Sequence, residues 1–174
     1  MTLMSQVAFD AIHTNRPNIP KNPFAVGGYI NGRILSFQWT ADDWNAFPHS
    51  YHIRINVTGD PARGDALDVE TGDATPDHVE PWIVERATGS GATRKPLLVY
   101  CNRSNLSACV AGRDAALKRT GHLAFIWEAT LDGTISGRAM TQFGQTKING
   151  TAVTDVSLIT DTRLLSAMAA NLGA

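Results

Sequence analysis

Residues 96–101 read Pro-Leu-Leu-Val-Tyr-Cys, an apolar run without a break. A strand open to water on one face alternates polar and apolar residues, so a continuous run predicts a strand covered on both faces. A helical segment follows at 105–119, with Lys118 and Arg119 in its last turn and Gly121 beyond its end. A strand covered on both faces and followed by a helix is the unit of a parallel sheet, and the same unit recurs along the chain.

Further strands are predicted at 24–30, 51–57, 65–70, 123–129, 139–144 and 152–159. They are divided by turn signals at Asn31-Gly32, Thr58-Gly59-Asp60-Pro61, Asp132-Gly133 and Asn149-Gly150. Thr40 caps a short helix at 41–47, with Asp43 in its first turn. Thr75-Pro76-Asp77 opens another that runs to about residue 87, and Asp161 or Thr162 caps a last one ending near residue 172. The expected order is β-α-β-β-α-β-α-β-β-β-α, an α/β fold. At 174 residues it is short for a full (β/α) barrel, which takes roughly 200 or more. Either an open doubly wound sheet or a short, degenerate (β/α) TIM-like barrel fits, the latter with helices missing between its last strands. Residues 1–23 are poor in apolar residues and carry Pro17, Pro20 and Pro23. They read as an extended N-terminal arm ahead of a single barrel domain at 24–174.

The chemistry concentrates in Asp68-Val69-Glu70. Side chains alternate along a strand, so Asp68 and Glu70 share one face while Leu67 and Val69 take the other. Two adjacent carboxylates repel, and one of them tends to keep its proton. A protonated acid beside a charged carboxylate is what glycoside hydrolysis requires. The pair sits at the C-terminal end of its strand, where parallel α/β folds place their sites. Neighbouring strands end in Tyr100-Cys101-Asn102, Trp127-Glu128-Ala129, Gln142-Phe143 and Thr154-Asp155, polar and aromatic groups suited to sugar hydroxyls and ring faces.

The ordered series resembles the family-25 glycoside hydrolases, muramidase-type β/α barrels, and the glycoside-hydrolase-like domains of actinobacterial and phage proteins. In sequence it runs Asp-x-Glu, Tyr-x-Asn closing an apolar strand, Ile-Trp-x-Ala, a Gln-aromatic strand and Val-x-Asp. The resemblance spans residues 24–161. It implies that Glu70 is the general acid and that Asp68 assists from the N-acetyl side or stabilises the oxocarbenium ion. It also implies that Tyr100, Trp127 and Gln142 line the sugar groove, with Asp155 a further acid at the barrel mouth. In that family the first strand ends in an aspartate; the strand at 25–31 has none.

Two functions stay open. One is a hydrolase of bacterial cell-wall glycan. The other is a non-catalytic virion or host-envelope adhesion module on the same fold, with the N-terminal arm as its assembly contact. The net charge of −1 gives no basic surplus for nucleic acid, and no apolar run reaches the ~20 residues of a membrane span. The N-terminus lacks the basic start and apolar centre of a secretory signal, so the chain is expected to be made in the cytoplasm and to leave by lysis or in a virion. No Cys/His cluster has zinc-ligand spacing, and no cofactor is expected. His13, His49, His52, His78 and His122 are dispersed. Cys101 and Cys109 read as reduced core residues or as a local bridge.

Overall fold

The structure is a computed structural model and describes residues 4–130 and 132–172. Eight strands close into a barrel in chain order: β1 (Gln6–Asp10), β2 (Ala25–Tyr29), β3 (Tyr51–Asn56), β4 (Ala66–Val69), β5 (Leu98–Asn102), β6 (Phe125–Ala129), β7 (Met140–Ile148) and β8 (Thr151–Ile159). The first seven run parallel. β8 is antiparallel to both β7 and β1 and completes the closure. The open doubly wound sheet is thereby excluded.

Helices are few. They are α1 (Ala41–Asn45), α2 (Val79–Thr88), α3 (Leu106–Thr120) and α4 (Thr162–Ala169). Thr40 caps α1 in a capping box with Asp43, and Gly121 ends α3 in the left-handed conformation at φ 72°. Among the described residues no α-helix joins β6 to β7. β7 and β8 form a hairpin whose two-residue turn, Asn149-Gly150, has φ of 50° and 81°, the positive values such turns need.

The alternation within the strands sorts the core into layers. Tyr51, Ile53, Ile55, Leu98, Tyr100, Phe125, Trp127, Met140 and Ile159 fill the barrel, and Leu164, Leu165 and Met168 of α4 pack against them. Leu67, Val69, Val99, Cys101 and Ile126 face outward under Trp82 and Ile83 of α2 and Cys109 and Ala116 of α3. That is why the run at 96–101 is apolar on both faces. Val26 lies outside under Trp39 and Phe47, and the Trp39 indole donates to the Ala11 carbonyl at 2.8 Å.

The N-terminal region corrects the sequence reading. Residues 6–10 are not part of an arm outside the barrel; they are its first strand, paired with β2 and β8. The proline-bearing segment after them holds a short 3-10 helix, His13–Asn18, with Pro17 inside it. It is tied down by Asp43, which takes His13 Nδ1 at 2.6 Å and the Arg16 guanidinium at 3.0 Å. Cys101 and Cys109 are buried and unbridged. Among the described residues, no helix is long and apolar enough to cross a membrane.

Candidate active site at the barrel mouth

The C-terminal ends of the parallel strands define one mouth. Inward positions there are set by register: Asp68 pairs with Tyr100, Tyr100 with Trp127, Ala129 with Gln142, and Asp10 with Asp155. Directly opposed antiparallel residues have Cβ atoms roughly 5 Å apart, so Asp10 and Asp155 are side by side. Asp10 fits because β2 presents Gly27 beside it. A Cβ on Gly27 would stand 2.7 Å from the Asp10 Cβ. On the outer side, a Cβ on Gly28 would stand 2.2 Å from the Trp39 ring.

All six residues singled out in the sequence reach this mouth. Asp68 is 4% exposed, and Glu70 at the strand's end is half-buried. Tyr100 stands edge-on to Trp127, with ring centroids 5.0 Å apart. Trp127 is 1% exposed and donates its indole N–H to Ser157, so it forms the floor of the mouth and offers no open face. Gln142 is buried, and Asp155 accepts from the Gln145 amide at 2.7 Å.

Two residues were missed. Asp10, 4% exposed, supplies the first-strand acid that residues 25–31 lack. The true first strand begins about twenty residues earlier, and its local sequence offers only the three-residue apolar run Val7-Ala8-Phe9 ahead of Asp10. Tyr29, at the end of β2, lines the cavities over Asp10, over Asp68 and over the neighbouring loops. Nothing in its local sequence marks it.

The electrostatics are one-sided. Burial pushes the Asp10 carboxyl well above its usual range, and the charges of Asp155, Asp68 and Glu70 push it further. Burial does the same to Asp68, reinforced by Glu70, Asp73 and Asp155. Glu70 is raised by burial and by Asp73, with the Tyr100 hydroxyl pulling it back by hydrogen bonding. Asp155 is raised by burial against hydrogen bonds from Gln145 and Gln142. The Tyr29 and Tyr100 hydroxyls are raised as well, by burial first and then by these acids. Among the described residues, none of the four acids has a salt bridge within 4 Å. One oxygen each of Asp10, Asp68 and Gln142 is buried without a hydrogen-bond partner. Such orphans are costly in a fold and are satisfied when a ligand supplies the partner. Chemically, the cluster can hold protons to higher pH than free carboxyls do and stabilise positive charge above it.

Another buried acid, Glu128, faces outward between Arg103 at 3.6 Å and Arg138 at 3.9 Å, away from the mouth. No three His, Cys, Asp or Glu residues among those described are grouped to hold a metal ion.

These features define a closed eight-strand α/β barrel with an acidic, cation-poor mouth. No family profile matches the sequence, and no curated protein matches it. Among solved structures, the spore cortex lytic enzyme SleM of Clostridium perfringens superposes with a TM-score of 0.50 at 15% identity, over 90% of this chain and 67% of that one. An uncharacterized protein of B. stearothermophilus superposes with a TM-score of 0.49 at 14% identity, over 92% of this chain and 98% of that one. At such identities a likeness speaks for the fold alone.

Proposed function

We propose that this protein is a glycoside hydrolase of bacterial cell-wall glycan, on a degenerate TIM-like barrel of the muramidase type. The observation that carries the reading is the set of four inward carboxylates, Asp10, Asp68, Glu70 and Asp155, gathered at one mouth with no salt bridge to any of them among the described residues. The fold shared with SleM, a spore cortex lytic enzyme, supports the same direction.

Glu70, half-buried at the rim, is the general acid. Its proton passes to the glycosidic oxygen as the bond from C1 to that oxygen breaks, and water supplies the hydroxyl that C1 gains. Asp68 beneath it is raised by burial first and then by the charge of Glu70, so each carboxyl bears on the other's proton. During cleavage Asp68 assists from the N-acetyl side or stabilises the oxocarbenium ion, with Asp155 adding negative potential. Tyr100, Gln142 and Asp155 bind the sugar, and Trp127 fixes the floor. Residues from β1 to α4 act as one domain.

The alternative virion or adhesion module had two motives, a missing first-strand acid and a free N-terminal arm. An acid, Asp10, ends the first strand, and β1 with the 3-10 helix at His13–Asn18 ties part of the arm to the barrel, so both motives lose support.

The test is release of soluble glycan from purified peptidoglycan between pH 4 and 8. Wild-type protein is expected to release it, and Glu70→Gln to lose at least about 100-fold in rate, the usual contribution of a positioned acid. No release by the wild type at any of these pH values overturns the reading.

A further inference from the structure

In a full (β/α) barrel each strand is followed by a helix that covers the outer wall. Among the described residues no such helix follows β6, and the wall there holds a cavity of about 140 Å³ instead. Its floor includes Ala124 and Ile126, buried side chains that face outward beside α3. Its charged lining is Arg113 of α3, Arg138 just ahead of β7, and Asp161 and Arg163 at the start of α4. These residues come from four separate segments, and none of them lines a cavity of the acidic mouth.

Three guanidiniums against one carboxylate make this lining cationic, the reverse of the mouth. The one acid is already engaged. Asp161 accepts from the backbone N–H groups of Arg163 and Leu164 at 2.8 and 3.2 Å and from the Arg163 guanidinium at 2.7 Å. Arg113 donates Nε and Nη2 to a single oxygen of Asp114, at 2.9 and 2.7 Å. Among the described residues the Nη1 groups of Arg113 and Arg163 have no acceptor, and Arg138 donates no side-chain hydrogen bond at all. The nearest acid to Arg138 is Glu128 at 3.9 Å, which Arg103 shares. The Arg113 side chain is 22% exposed and that of Arg138 41%, so these donors are partly withdrawn from water without a protein acceptor in exchange.

A volume of about 140 Å³ falls below the ~300 Å³ at which small-molecule sites begin, so the cavity suits one charged group of a ligand. A carboxylate has two oxygens in one plane and is matched by a single guanidinium. A phosphate has three terminal oxygens and is met by several. We propose that this cavity is an oxyanion site for a phosphate group, held between Arg113, Arg138 and Arg163. The group arrives as free phosphate or as a phosphate monoester, which present the same oxygens. The site lies on the outer wall, apart from the acids, and does not depend on the glycan reading.

Full-length protein is titrated with inorganic phosphate and with a hexose monophosphate, each at constant ionic strength and against sodium chloride as control. Binding is read from the arginine Nε–H signals in proton–nitrogen correlation spectra. The expected result is saturable movement of the Arg113, Arg138 and Arg163 signals that chloride does not reproduce. The affinity should fall about tenfold in Arg138→Ala, and Arg138→Lys should restore part of it by keeping the charge without the fork. Arg138 makes no side-chain hydrogen bond, so thermal unfolding without ligand should be unchanged in these variants. Tighter binding of the ester identifies a phosphorylated molecule as the ligand, and tighter or equal binding of inorganic phosphate identifies the free ion. No saturable movement, movement that chloride reproduces, or an affinity unmoved in both Arg138→Ala and Arg113→Ala overturns the site. Glycan release is measured separately, so either result leaves the reading of the mouth where it stood.

Discussion

Asp65, just ahead of β4, and Asp68, near its far end, lie three residues apart, and both are nearly sealed from solvent, at 0% and 4% exposure. Their surroundings are opposite. Asp65, at the strand's entry, receives both guanidinium arms of Arg54 at 2.9 Å, the Arg54 backbone N–H at 3.2 Å, and Lys95 at 3.9 Å. Asp68, at the mouth, has a buried oxygen with no partner and three further acids pressing on it. Asp43 repeats the first pattern, with His13, Arg16 and Thr40 around its 1% exposed side chain. This chain neutralises a buried carboxylate where only the fold is at stake. At the mouth it leaves carboxylates bare, a cost to stability of the kind found where a site must act on a ligand.

The sharpest way to break this comparison is to remove one charge from each end. Asp65→Asn turns a paired anion into an amide facing Arg54 and Lys95, and is expected to cost about 3 kcal/mol, the lower end for breaking a buried pair because Arg54 is partly solvated. Asp68→Asn relieves repulsion and is expected to leave stability within about 0.5 kcal/mol of wild type or to raise it. Urea denaturation of the two variants decides. Equal losses would mean that Asp68 is structural, and the contrast between the ends would dissolve.

A smaller effect separates the same regions by the sign of their pH dependence. The Asp43 carboxyl is lowered to about 2, chiefly by hydrogen bonds from Thr40, His13 and Arg16 that outweigh burial. A depressed acid contributes stability above its unfolded value near 4 and loses it as pH falls through 2. The shift corresponds to about 2 kcal/mol. The mouth acids have raised values, so the folded state holds their protons longer than the unfolded chain does. Their contribution is present at low pH and is lost as pH rises above about 4. In urea melts across pH, Asp43→Asn should therefore flatten the acid-side loss, and Asp10→Asn the loss on the other side. Slopes of the same sign for both variants would contradict the assignment.

The same contrast explains what could be read beforehand. Strand alternation alone put Asp68 and Glu70 on one face, and the covered apolar run at 96–101 announced a parallel sheet with helices outside. The N-cap at Thr40 and the Asn149-Gly150 turn signal were also visible, because each is set by residues close in sequence. β1 was not visible. Its inward positions carry Ala8 and Asp10, a methyl group and an acid, so it lacks the large apolar alternation of a buried strand. The prolines after it suggested an open arm, whereas Asp43, thirty residues from His13, is what anchors that segment. Tyr29 owes its place to three segments that meet only when the barrel closes, and no local pattern encodes that meeting.

The smallest expected effect lies inside the mouth. Tyr100 is the one neighbour that stabilises the charged form of Glu70, by hydrogen bonding, against burial and the charge of Asp73. Tyr100→Phe removes that donor and keeps the ring against Trp127. With the donor gone the Glu70 carboxyl rises further, and a general acid that keeps its proton longer works to higher pH. The alkaline limb of the kcat/KM profile should move upward by less than about one pH unit, with stability little changed because the edge-to-face contact survives. A downward shift would mean that the hydroxyl favours the protonated form and that the proton rests elsewhere in the cluster. An unmoved limb, in a variant whose Glu70→Gln counterpart is dead, would place the titrating group on Asp68 instead and exchange the roles of the two carboxyls.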